Sequence, residues 1–80
     1  MTISLVAFER IDGLLSKQLR AGPFETCADP QEYIRNSNRL FDACIDAMGF
    51  SYMDQFSSAE HCAAAIVTEG LLYHDFVDAD

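Results

Sequence analysis

Apolar residues return every three or four positions along three stretches of this chain, and glycine interrupts the pattern between them. Leu5, Phe8, Ile11, Leu15 and Leu19 line one face of a first predicted helix, residues 4–21, which Ala7 and Leu14 widen. Glu9, Arg10, Ser16, Lys17 and Arg20 take the opposite side. Ala21-Gly22-Pro23 ends the helix, because Gly accepts a left-handed C′ conformation and Pro cannot continue a helix. The first residues also admit an extended reading, since Ile3 and Leu5 alternate with polar neighbours.

The second helix, residues 30–48, has the clearest start. Asp29-Pro30-Gln31-Glu32 puts Asp at the N-cap, Pro at N1 and Glu at N3. Tyr33, Leu40, Phe41, Cys44 and Met48 follow at helical spacing, with Ile34 and Ile45 at the edge and Gly49 as the stop. A third helix, residues 58–77, begins at Ser57-Ser58-Ala59-Glu60, which reads as a capping box with Ser57 capping and Glu60 reaching back. Ala59, Cys62, Ala63, Ile66, Tyr73 and Val77 form its apolar face, on which Gly70 also falls. Three amphipathic helices with short connections predict an all-α fold: a small bundle of three main helices in a single domain, residues 1–80.

The chain is 80 residues long, and half of it is apolar, which excludes disorder by composition. A domain this small sustains one modest core without a deep enclosed active site. Three cysteines make an odd count, which fits reduced thiols and a cytoplasmic location better than a secreted disulfide scaffold. Met1 to Glu9 lacks the basic region of a signal peptide, and no apolar run approaches the roughly 20 residues of a membrane span.

Charge is the second strong signal. Residues 1–40 hold five acids and all five bases, so they sum to zero. Residues 41–80 hold eight acids and no Lys or Arg, which is the whole net charge of −8. Phosphate contacts need cations in number, so direct binding to nucleic acid or to anionic membranes is disfavoured. A surface polarised in this way calls instead for a partner of opposite sign.

The residues expected to meet that partner are Asp42, Asp46, Tyr52, Asp54, Glu60, Leu71, Asp75 and Asp78. Asp42 and Asp46 stack four residues apart on the polar side of the second helix, with Arg39 placed to offset Asp42. Glu60, Asp75 and Asp78 project from the third helix around Ala64 and Leu71, an apolar spot ringed by carboxylates. Asp75 and Asp78 also oppose the dipole at the end of that helix, a placement that stability alone disfavours. The connection Gly49–Phe56 is rich in large side chains, which are expected to fold inward and plug one end of the bundle. Tyr52 is the one expected to be exposed.

Other residues carry bland readings. Ser37 sits in the second helix's apolar stripe and is expected to bond back to the Tyr33 carbonyl. Glu69 lies in the third helix's apolar arc and is expected to reach its edge or pair with Arg. Cys44 and Cys62 read as small buried hydrophobes. His61, Cys62 and His74 lack zinc-ligand spacing, so no metal and no cofactor are expected. Nothing converges into a catalytic motif, and no enzymatic activity is expected. Acyl carrier proteins are likewise acidic, helical and of this length, but they need Asp-Ser-Leu at the start of the second helix, where Asp29-Pro30-Gln31 stands here.

The sequence therefore points to a small protein-binding inhibitor whose acidic side occupies a basic, nucleic-acid-binding surface of another protein. In this broad profile alone it resembles phage-encoded inhibitors of host defence, such as anti-CRISPR proteins. The alternative is a structural or regulatory helical module that forms a homodimer or docks to a larger subunit.

Overall fold

The computed structural model describes residues 3–73 and 76–77. It is an all-α bundle: β1 (Ile3–Ser4), α1 (Leu5–Ala21), a 3-10 turn (Phe24–Thr26), α2 (Pro30–Met48), α3 (Phe50–Met53), α4 (Ala59–Tyr73) and β2 (Phe76–Val77). Helices α1, α2 and α4 pack against one another and the short α3 closes onto α2. No helix among the described residues is long and apolar enough to cross a membrane.

The local signals explain most boundaries. Ser4 Oγ accepts from the Ala7 amide at 3.0 Å and caps α1. Asp29 Oδ1 accepts from the Glu32 amide at 3.1 Å, with Pro30 opening α2. Gly22 and Gly49 stop the two helices at φ 79° and 86°, a region that favours glycine. Their amides return to the carbonyls of Leu19 (3.2 Å) and Ile45 (2.8 Å).

Two boundaries differ from the sequence expectation. The fourth helix is capped by Ser58 rather than Ser57: Ser58 Oγ accepts from the His61 amide at 3.2 Å and its carbonyl from the Cys62 amide at 3.1 Å. Ser57 is drawn instead to the His61 ring, and Glu60 turns to α2. At the other end, α4 does not run to residue 77. Phe76–Val77 forms a two-residue parallel ladder with Ile3–Ser4, matching Ile3 to Phe76 and Ser4 to Val77. The extended reading of the first residues thus holds for Ile3–Ser4, whose backbone groups pair across the bundle end. Aromatic and β-branched residues such as Phe76 and Val77 suit that pairing.

The core is Ile11, Leu40, Cys44, Cys62, Ala63 and Ile66, all at 0% exposure, with Ile3, Phe8, Leu15, Ala43 and Met53 around them. The buried stripe of α1 is Phe8, Ile11, Leu15 and Gln18. Leu5 and Leu19, expected in that stripe, stand 47% and 65% exposed. On α2 the buried set is Asn36, Leu40, Ala43 and Cys44, while Phe41 is 42% exposed. Ser37 is only half-buried. In each helix the core face is rotated from the purely apolar reading because a polar residue, Gln18 or Asn36, occupies a central position.

Candidate functional site

Two ends of α2 were built differently by the sequence. Near its start, polar groups from three helices meet. Asn36 Nδ2 donates to the Leu14 carbonyl at 3.0 Å and to Gln18 Oε1 at 2.8 Å, with both residues 2% exposed. The Leu14 carbonyl fixes the orientation of the Asn36 amide, and Asn36 in turn fixes that of Gln18. Beside them the Tyr33 hydroxyl donates to Glu60 Oε1 at 3.0 Å, tying α2 to α4. Burial, followed by that bond to a carboxylate, pushes the Tyr33 hydroxyl pKa up. Glu60 is therefore half-buried in an interhelical contact, not standing free among surface acids.

On the outside of this end, Glu32 takes Lys17 Nζ at 2.8 Å and Arg35 Nη2 at 2.7 Å. The Lys17 bond first, then that of Arg35, holds the Glu32 carboxyl down at about 2. Phe24 from the connecting turn meets the Tyr33 ring edge-on at 5.4 Å. A cleft of about 270 Å³ lies here, bordered by Lys17, Arg20, Cys27, Asp29 and Glu32. It falls below the roughly 300 Å³ at which small-molecule pockets begin.

The other end of α2 carries Asp42 and Asp46 on its exposed side, four residues apart, in the stripe next to Phe41 and Ile45. Arg39 does not pair with Asp42. The cation that arrives is Arg10 from α1, which stands 3.8 Å from Asp46, with both side chains more than half exposed. Among the described residues Asp42 and Asp54 make no ion pair. Past the Gly49 break, α3 presents Phe50 at 64% exposure. Asp54 follows one turn later, its amide donating to the Phe50 carbonyl at 2.8 Å.

Tyr52, expected to be the exposed ring of this segment, is half-buried and packs on Phe56 at 5.2 Å between ring centres. Burial, then the nearby Glu69 carboxylate, pushes its hydroxyl pKa up. Met53 is buried beneath, so the segment does plug the bundle, with Phe50 left outside.

On α4, Ala64 and Leu71 are exposed, Leu71 at 62%, and Glu69 is half-buried. Asp75 and Asp78, expected to ring that spot, lie outside the described residues, as does His74. Cys44 and Cys62 are buried in the core, and burial, with Cys62 as neighbour, pushes the Cys44 thiol up to about 12. A thiol so held stays protonated and unreactive. Among the described residues no group of three or more His, Cys, Asp or Glu side chains is placed to hold a metal ion.

The structure thus leaves Asp42, Asp46, Asp54 and Phe50 exposed, and half-buries Glu60 and Tyr52. Compared with known proteins, the chain matches no family model, no curated protein and no solved structure.

Proposed function

We propose that this protein is a binding inhibitor that occupies a basic surface of another protein, one that otherwise holds nucleic acid. The observation that carries the reading is the set of exposed carboxylates Asp42, Asp46 and Asp54, in a half of the chain with no Lys or Arg of its own, where among the described residues Asp46 alone of the three meets a cation, Arg10 at 3.8 Å. The carboxylates take the place of phosphates, and a few apolar side chains prolong the contact. Inhibition is steric and electrostatic, and no bond of the partner is made or broken. Anti-CRISPR proteins and similar phage-encoded inhibitors share this profile.

The test is capture of partners from nuclease-treated host lysate at low and high salt, with heparin as competitor. The reading expects a nucleic-acid-handling protein that heparin and salt both displace, because exposed charges are screened over about 8–10 Å. A partner indifferent to both overturns it.

A second reading, a homodimer or a module docked to a larger subunit, draws on the eight large apolar side chains exposed among the described residues, including Val6, Leu19, Ile34 and Leu71. Light scattering across protein concentration separates it from the first, since such a dimer persists in high salt.

A further inference from the structure

The contact between α1 and the start of α2 holds two polar atoms that the fold leaves unsatisfied. Gln18 and Asn36 are each 2% exposed. Among the described residues Gln18 Nε2 and Asn36 Oδ1 have no hydrogen-bond partner. Turning the amides does not cure this. The Leu14 carbonyl only accepts, so Asn36 must aim Nδ2 at it, at 3.0 Å, and Oδ1 away. The same Nδ2 donates to Gln18 Oε1 at 2.8 Å, which leaves Gln18 Nε2 over. Burial and Glu60 raise the Tyr33 pKa and the Gln18 amide partly offsets them, so the two side chains are neighbours, yet no hydrogen bond joins them. Buried polar atoms are nearly always paired, and an orphan costs the fold its full desolvation. One unmet donor and one unmet acceptor, on two amides already in contact, call for a group that supplies both complements.

Both residues line the cleft of about 270 Å³ already described, and Gln18 also lines an adjoining cleft of about 260 Å³ with Leu19, Pro23 and Glu60. Being buried, Gln18 and Asn36 form the inner wall, while the exposed Lys17, Arg20 and Asp29 stand at the mouth with the half-buried Glu32. These two cations and two acids cancel, so the cleft selects no net charge. We propose that it binds a small neutral molecule through a cis-amide edge, a carbonyl beside an N–H as in a lactam. The carbonyl accepts from Gln18 Nε2 and the N–H donates to Asn36 Oδ1. The volume admits a single ring rather than a drug-sized ligand. Neither atom is open to solvent, so the ligand must part the cleft wall to reach them. The site is independent of the acidic surface proposed above.

The probe is 2-pyridone, a one-ring lactam, with N-methyl-2-pyridone as the control that keeps ring and carbonyl but lacks the N–H. Each is titrated against the isotopically labelled full chain while the side-chain amide resonances are followed. 2-Pyridone is expected to bind with a Kd on the order of 1 mM and to move the Gln18 and Asn36 side-chain resonances. It should also slow the reaction of Cys27 with a thiol reagent, since Cys27 lines the cleft and is the one cysteine outside the core. N-methyl-2-pyridone, and 2-pyridone on the Gln18→Leu/Asn36→Leu variant, are each expected to bind about tenfold more weakly or not at all. Should the two pyridones bind alike, or the folded variant bind as the parent does, the site is overturned. The pyridone comparison uses the native chain, so it decides the matter even where the variant does not fold. Should 2-pyridone leave both side chains unmoved at roughly tenfold that concentration, the proposal falls, and contact of the two amides with water would show an internal water there instead.

Discussion

At its N-terminal end, helix α2 meets a partner for most of its polar groups. Asp29 holds an amide, Glu32 holds two cations, Tyr33 holds Glu60, and the buried Asn36 amide donates to Gln18, although Asn36 Oδ1 and Gln18 Nε2 have no partner. At its C-terminal end the same helix leaves Asp42 exposed and Asp46 only loosely met by Arg10, and the chain goes on to an exposed Phe50 and Asp54. The first end is arranged for the fold. The second forgoes local compensation: a carboxylate near a helix C-terminus opposes the dipole, and an exposed ring gains nothing from burial. Residues that do little for their own domain are where a partner is to be sought.

That contrast can be broken by mutation. The largest effect is expected at the sealed end. Asn36→Ala removes the donor to Gln18 and to Leu14 and should lower stability by about 2 kcal/mol, read as a drop in the urea midpoint. Replacing both amides, Gln18→Leu with Asn36→Leu, should recover most of that loss, since it leaves no orphaned polar group. If Asn36→Ala is neutral, the polar pair does not hold the α1–α2 contact. Next, Asp29→Ala should cost about 1 kcal/mol through the lost N-cap.

Acid sharpens the comparison further. The Glu32 pKa is depressed in the folded protein, to about 2 from an ordinary 4.5. Its contribution is therefore present above pH 4.5 and is lost as the pH falls toward 2. Glu32→Gln should flatten the decline in melting temperature across that window. The smallest effect is expected at the open end. Asp46→Asn relieves the dipole conflict and gives up only a long, exposed ion pair, so stability should change by less than about 0.5 kcal/mol, toward gain. A marked loss would mean that Asp46 serves the fold after all.

Much of the fold was legible in the residues. The cap at Asp29 and the stops at Gly22 and Gly49 are local chemistry, written in one or two residues each. The two rotated faces were harder to read. Gln18 continues the Ile11–Leu15 spacing and Asn36 continues that of Tyr33–Leu40, but each is buried only because the other is opposite it, which is a fact about two distant positions. The ladder of Ile3–Ser4 with Phe76–Val77 is hidden for the same reason. Of the candidate site, the carboxylates at 42, 46 and 54 were visible as charge. Phe50 was not separated from Tyr52, because which ring turns inward depends on the packing of α3 against α2 and α4.

The most direct measurement is to add a basic, amphipathic Lys/Leu peptide to isotopically labelled protein and follow the amide resonances. The account predicts shifts concentrated over residues 41–54, diminished by salt, with residues 17–36 unmoved. Shifts centred on residues 17–36, or none over 41–54 when the peptide is bound, would contradict it.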